Sequence, residues 1–254
     1  MQPTRAETPA GATPGGATSA GTTSTGTTST GQGHGDREGS WRTWVSPPAA
    51  CGHRGCWDGW AEPIATWPNL VTAVRTVLAL ALAGLALTRG SVPLLLASVA
   101  AYWLGDVLDG LLARHLRQET RGGALFDVLA DRACSVAFWL PWAMWHPDAI
   151  WPVLLYLLEF CVVDGVLSVA WLAWPLVSCN YVGRVHMLVY RLNWWPPAKV
   201  VNTAGLVLFL VLWPQPWLAT VFVAGVLAVK ATSLGLLHAT LPAPPPGCAA
   251  PSRR

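Results

Sequence analysis

Charge is scarce in this chain. Asp, Glu, Lys and Arg make up 11% of its 254 residues, against roughly 25% in an average soluble domain. That shortfall excludes an ordinary water-soluble globule. Strong positive charge is also lacking. The formal net charge is +3 and the arginines are not gathered in one run, which argues against a nucleic-acid partner. Cysteine is sparse, with six residues at positions 51, 56, 134, 161, 179 and 248. Three of these fall in apolar helical stretches, so reduced thiols are expected rather than a secreted disulfide framework. No apolar segment follows the first residues, so no signal peptide is expected.

What is abundant is apolar surface. Hydrophobic residues reach 53%, Trp alone occurs 16 times, and the mean hydropathy is +0.41. These values predict an all-α, polytopic membrane protein embedded in the lipid bilayer. Residues 1–40 hold 9 Gly, 10 Thr and 4 Ser, with GTTST twice in succession. Such a segment has no apolar face to offset its ordering entropy and is expected to be disordered. Residues 41–66, with four Trp among polar residues, read as a juxtamembrane segment, with a helix lying in the interface as one form it could take. Cys51, His53 and Cys56 sit close together there. A zinc site would need a fourth ligand and better spacing, so a short exposed loop is expected. Residues 67–240 form the membrane domain, and 241–254 a Pro-rich C-terminal tail.

Six transmembrane helices are predicted near 70–88, 92–114, 124–145, 150–176, 198–213 and 217–239, since a helix needs roughly 20 residues to cross a bilayer. Trp139, Trp142, Trp145, Trp151, Trp213 and Trp217 cluster at the expected ends, as an aromatic belt would. Arg37, Arg42, Arg54, Arg114, Arg117, Arg121, Arg184, Arg191, Lys199, Arg253 and Arg254 fall in one set of connections, and the alternate loops contain only Arg89. This bias predicts both termini, and the 106–131 region, on the cytoplasmic side of the cell membrane.

The informative stretch is GDVLDGLLARHLRQETRGGALFDVLADR, residues 105–132. Asp106 and Asp109 are three apart and Asp127 and Asp131 four apart, so each pair shares a helix face. The pairs lie on consecutive antiparallel helices and can face each other. A charged residue at a span centre costs roughly 2.5–3.5 kcal/mol, so four acids need compensation. Their all-oxygen donor set suits Mg²⁺ or Mn²⁺, and two such ions would neutralise the acids and leave positions for phosphate oxygens. Gly110 and Ala113 lack bulk, so a nucleotide could approach the backbone there. Arg114 could clamp a diphosphate, and Gly123 would permit a tight start to the third span.

The pattern D-x2-D-G-x2-A-R-x8-G-x3-D-x3-D is complete in Asp106, Asp109, Gly110, Ala113, Arg114, Gly123, Asp127 and Asp131. Eight such positions coincide by chance with a probability on the order of 10⁻¹⁰ per start point. The chain thereby resembles the CDP-alcohol phosphotransferases. The resemblance implies an enzyme of phospholipid synthesis that transfers the phosphatidyl group of CDP-diacylglycerol to a small alcohol and releases CMP. It implies Asp106, Asp109 and Asp127 as metal ligands and Asp131 as both a metal neighbour and the general base. Gly110, Ala113, Arg114 and Gly123 are implied around the CDP moiety. It also suggests a homodimer.

The stretch PNLVTAVR at 68–75 is similar to one the family often carries, so Thr72 or Arg75 is expected to face the nucleotide or a phosphate. Arg132, Arg184, Arg191 and Lys199 are the candidates for holding the acceptor. Lys230 is expected to face inward, where it could pair with Glu159 or Asp164. The fourth span keeps Asp164 without the arginines usual in phosphatidylglycerophosphate synthases, and the 105–132 run looks as much like phosphatidylinositol synthases. These departures leave the acceptor open; on family frequency the resemblance implies glycerol 3-phosphate first, with inositol or its phosphate the alternative. A non-enzymatic carrier binding cations at the carboxylates is the rival of a different class.

Overall fold

The computed structural model describes residues 41–241, the side chains of residues 203 and 204 excepted. The tails expected over 1–40 and beyond 241 lie outside them. Among the described residues the regular structure is helical throughout. Helix α1 spans Trp67–Arg89, α2 Val92–Leu116, α3 Arg121–Trp145, α4 Ile150–Leu157, α5 Asp164–Val169, α6 Met187–Asn193, α7 Pro196–Val207 and α8 Pro216–Ala239. Wide turns over Leu158–Val163 and Leu208–Leu212 extend α4 into α5 and lengthen α7.

Four helical stretches are long and apolar enough to cross a membrane: α1, α2, Pro147–Ala173 and α8. The pair Met187–Asn193 and Pro196–Leu212, bent by 44°, would make a fifth. The third expected span, α3, has the length, 25 residues. It carries Arg121, Asp127, Asp131 and Arg132 within its first half, so apolarity alone does not mark it as a span. Residues 41–66 form turns and extended chain rather than an interfacial helix. Pro47, Pro48 and Pro63 interrupt that segment, and Gly52, Gly55 and Gly59 all take positive φ, which a helix does not allow.

Two apolar clusters hold the bundle. One gathers Ala83, Ala86, Leu95, Phe138, Trp142, Val153, Leu206 and Val223 from α1, α2, α3, α4, α7 and α8. The small residues Ala79, Ala83 and Ala86 let α1 and α2 approach closely, and Ser98 Oγ donates to the Ala79 carbonyl at 2.8 Å. The other cluster joins Leu167, Trp171, Trp174, Leu176, Val189 and Leu237. Trp139 and Trp142, expected in an aromatic belt, are instead core residues, whereas Trp151, Trp213 and Trp217 are exposed. The difference is one of helix face, which position near a span end does not determine.

The start of α3 is held by three acceptor contacts, and these fix the register of its carboxylates. Thr120 Oγ1 accepts from Gly123 N–H at 2.9 Å. Glu62 Oε2 accepts from Arg121 N–H at 2.8 Å and Gly122 N–H at 3.3 Å. These satisfy donors that a helix start leaves unpaired, and they place an acid at the positive end of the dipole. Burial pushes the Glu62 carboxyl above its ordinary range, and the Gly122 and Arg121 N–H groups oppose that shift.

A second polar set lies inside the bundle. The wide turn closes a hydrogen bond from Asp164 N–H to the Glu159 carbonyl, five residues back. That spacing brings Glu159 and Asp164 onto one side of the helix. Lys230 on α8 meets both: its Nζ pairs with Asp164 and lies 3.5 Å from Glu159 Oε1. This is the inward pairing expected for Lys230. Arg132 on α3 pairs with the other Asp164 oxygen and donates to Ser168 Oγ at 3.1 Å. Removing one member of a buried ion set strands its partner. Lys230→Met is therefore expected to destabilise the detergent-solubilised protein by about 3 kcal/mol or more, read from the denaturant midpoint. A parent-like midpoint would contradict this.

Candidate active site

The four motif carboxylates converge. Asp106 and Asp109 project from α2, and Asp127 and Asp131 from α3, across a connection that runs only from Arg117 to Thr120. Arg117 ends α2 in the left-handed conformation, φ 53°, which turns the chain back at once. Carboxylate oxygens of Asp106, Asp109 and Asp127 all lie within 4.8 Å of one another. Asp131 stands one turn along from Asp127, 4.0 Å from Arg132.

At the centre of the four acids lies Arg75, from α1. Its Nε donates to Asp109 Oδ2 at 2.9 Å. Its Nη2 donates to Asp131 at 3.1 Å, pairs with Asp127, and lies 3.4 Å from Asp106. The Arg75 side chain is 2% exposed, so the guanidinium is turned inward, onto the acids rather than into either cavity. Thr72 Oγ1, one turn earlier, lies 2.7 Å from Asp109 Oδ2. The guanidinium also sits 5.3 Å from the centre of the Tyr102 ring.

Glycines permit these approaches. A Cβ on Gly105 would lie 2.4 Å from the Arg75 Cβ, so only glycine there lets α1 deliver the guanidinium across α2. A Cβ on Gly123 would meet Asn69 Oδ1 at 2.5 Å, so the role of that glycine is close contact of α1 with the start of α3. Gly105 was not among the expected site residues. Its position beside Asp106 carries no signal until α1 is seen to cross there.

Two cavities meet at the carboxylates. The smaller, about 100 Å³, is lined by Thr72, Asp109, Gly110, Ala113, Arg114, Gly123 and Asp127, and also by Ser178, Cys179 and Asn180. All the residues expected around a CDP group thus share one cavity, except Arg75, which is enclosed among the acids and lines neither cavity. The larger, about 210 Å³, is lined by Asp106, Asp127, Asp131, Arg132, Asp164, Lys199 and Lys230, with Asn180, Asn193 and Asn202. Arg132 and Lys199 therefore share one space. Arg184 and Arg191 line neither cavity, and Arg191 is exposed on α6. The asparagines and the 178–180 loop were not anticipated, because they come from segments remote in the chain. Burial pushes the Cys179 thiol up to about 12.

The donor set fits the divalent ions expected. It consists of carboxylate oxygens only, and four acids face a single central guanidinium, which leaves negative charge to neutralise. Asp106 and Asp127 keep 44% and 39% of their side chains exposed, so a cation can reach them from the cavities. Arg75→Met removes the internal counter-charge. Its unfolding midpoint in detergent is expected to fall, and to be raised by Mg²⁺ more than the parent's. Equal midpoints without divalent ions would show that the guanidinium does not hold the cluster.

A family model, CDP-alcohol phosphatidyltransferase, matches residues 65–237. No curated protein and no solved structure gave a match. The matched range contains the whole carboxylate cluster, both cavities' motif residues and the helices that carry them. The chain therefore belongs to the CDP-alcohol phosphatidyltransferase family, whose members are metal-dependent phosphotransferase enzymes of the membrane.

Proposed function

We propose that this protein transfers the phosphatidyl group of CDP-diacylglycerol to a small polyol phosphate, glycerol 3-phosphate first, and releases CMP. The single observation that carries the reading is the pair of cavities that meet at Asp127, one lined by the nucleotide motif and the other by three cations. A donor and an acceptor held in those two spaces would meet at the acids.

In the smaller cavity Gly110 and Ala113 leave the α2 backbone open to the nucleotide. Arg114 folds back over Gly110, where an added Cβ would lie 3.3 Å from its Nη2, and can donate to the diphosphate. Asp106, Asp109 and Asp127 would hold two divalent ions, with Asp131 close by. When bound, such ions spread the charge that develops on the diphosphate. In the larger cavity Asp131 can accept the proton of the acceptor hydroxyl as its oxygen bonds to the phosphatidyl phosphorus. The bond from that phosphorus to the bridging oxygen breaks, and CMP leaves with the electron pair. Lys199, whose Nζ is 3.2 Å from Asn180 Oδ1, and Arg132 would bind the acceptor phosphate.

An uncharged inositol is the second reading. Asp164 and Glu159 already pair with Arg132 and Lys230, while three asparagines in the same cavity can bind hydroxyls. All six expected spans, α3 included, and cytoplasmic termini belong to the same proposal. The exposed residues Leu104, Val107, Leu108 and Leu111 on α2 and Leu125 and Leu129 on α3 support lipid contact beside the site.

Release of CMP from CDP-diacylglycerol by the purified protein should require both Mg²⁺ or Mn²⁺ and an acceptor. No CMP with any alcohol in a panel would sink the reading. Asp131→Asn is expected to lower kcat by about 10²–10⁴-fold, and unchanged turnover would remove the base assignment. Lys199→Met should raise KM for glycerol 3-phosphate by about tenfold with little change in kcat. A larger activity with inositol, indifferent to Lys199, would favour the second reading.

A further inference from the structure

Outside the carboxylate site, one cluster of soft ligands is brought together. Cys51, His53 and Cys56 each offer one ligand atom, and the three atoms lie within 4.8 Å of one another. Tetrahedral zinc with Zn–S near 2.3 Å and Zn–N near 2.0 Å holds its ligand atoms about 3.5 Å apart, so small side-chain adjustments would complete such a set. The sequence alone argues for a short exposed loop here, for want of a fourth ligand and better spacing, yet the backbone gathers the three ligand atoms of C-x-H-x2-C. Gly52 and Gly55 take φ +70° and +82° on either side of His53. Gly52 N–H donates to the Ala49 carbonyl at 2.8 Å, and the Asp58 carboxylate accepts from Ala50 N–H, closing the loop at its neck.

The loop is built into the protein rather than left in solvent. Cys56 is 4% exposed and bridges to Leu176 as a single antiparallel pair. Val177 N–H donates to the Gly55 carbonyl at 2.9 Å, and Trp57 N–H to the Pro175 carbonyl at 3.0 Å. A Cβ on Gly55 would fall 2.2 Å from the Tyr181 ring. Tyr181 Oη in turn donates to Glu119, 3.0 Å from either oxygen, and Glu119 pairs with Arg54 at 3.5 Å. Burial and Glu119 push the Tyr181 phenol up to about 12, so it remains a donor. The strand of chain that this loop holds, 175–178, leads directly into the wall of the smaller cavity.

We propose that Cys51, His53 and Cys56 bind a thiophilic divalent metal ion of the zinc class, which fixes the shape of the loop whose backbone pairs with the 175–178 strap beside the smaller cavity. Two thiolates and an imidazole select zinc over the hard cations suited to the aspartates, and a water would complete the four positions. This site is independent of the proposed reaction.

The test uses the full-length protein in detergent, purified under reducing conditions and titrated with Co²⁺. Visible ligand-field bands of tetrahedral Co²⁺ are expected together with a near-ultraviolet thiolate-to-cobalt band. Carboxylate-bound Co²⁺ at the aspartates cannot give the latter. Cys51→Ser and Cys56→Ser should abolish the thiolate band, His53→Gln should weaken or shift it, and Cys161→Ser should leave it intact. Zinc carried through purification should be about one ion per chain and fall at least tenfold in Cys51→Ser. If either serine variant fails to fold, the parent decides through alkylation: bound Zn²⁺ should protect Cys51 and Cys56 from maleimide, and a chelator should expose them. Absence of a thiolate band in the parent, its persistence in both serine variants, or a Cys51–Cys56 disulfide in the protein as isolated would each overturn the proposal.

Discussion

A single guanidinium buried among four carboxylates is the interaction on which the site depends. Arg75 reaches Asp106, Asp109, Asp127 and Asp131 from a third helix. Like charges this close repel one another, and the Arg75 guanidinium between them offsets part of that repulsion. One positive charge cannot balance four negative ones. The carboxylates left over by that one cation form an all-oxygen cluster of the kind hard divalent ions prefer.

The surrounding architecture serves to hold that arrangement against the apolar bundle. The connection between α2 and α3 is short, and Thr120 and Glu62 cap the start of α3. Gly105 removes the side chain that would keep α1 away from the acids. On the far side a second charged set, Arg132, Asp164, Lys230 and Glu159, ties α3, α5 and α8 together. The larger cavity lies between the two charged sets. Its polar wall is therefore partly a by-product of the ion pairs that hold the helices. This is why cationic residues there serve packing and could serve acceptor binding as well.

The segment before the first helix has a comparable double character. It makes no helix, yet its turns pair with the strap around Leu176. Gln118, at the α2–α3 connection, donates to the Trp44 carbonyl at 3.0 Å. The amino-terminal chain is thereby woven against both segments that border the smaller cavity.

Several features were legible from residue order alone, because they rest on local spacing. Aspartates three and four apart share a helix face whatever surrounds them, and Gly110, Ala113 and Arg114 follow on the same helix as Asp106 and Asp109. Apolar runs marked most of the helices, and the inward pairing of Lys230 followed from the cost of leaving a charge in lipid. Other features were decided only by the folded chain. Residue order left Arg75 to a nucleotide or phosphate or to the interface, and its place among the acids followed only from α1 crossing α2 at Gly105. Glu159 and Asp164 share Lys230 because of a wide turn that no spacing rule foretold. Arg132 and Lys199 share a cavity that Arg184 and Arg191 do not reach. Composition and periodicity report which groups a helix presents. Which groups from different helices meet is set by helix crossing, and that is a property of packing in three dimensions.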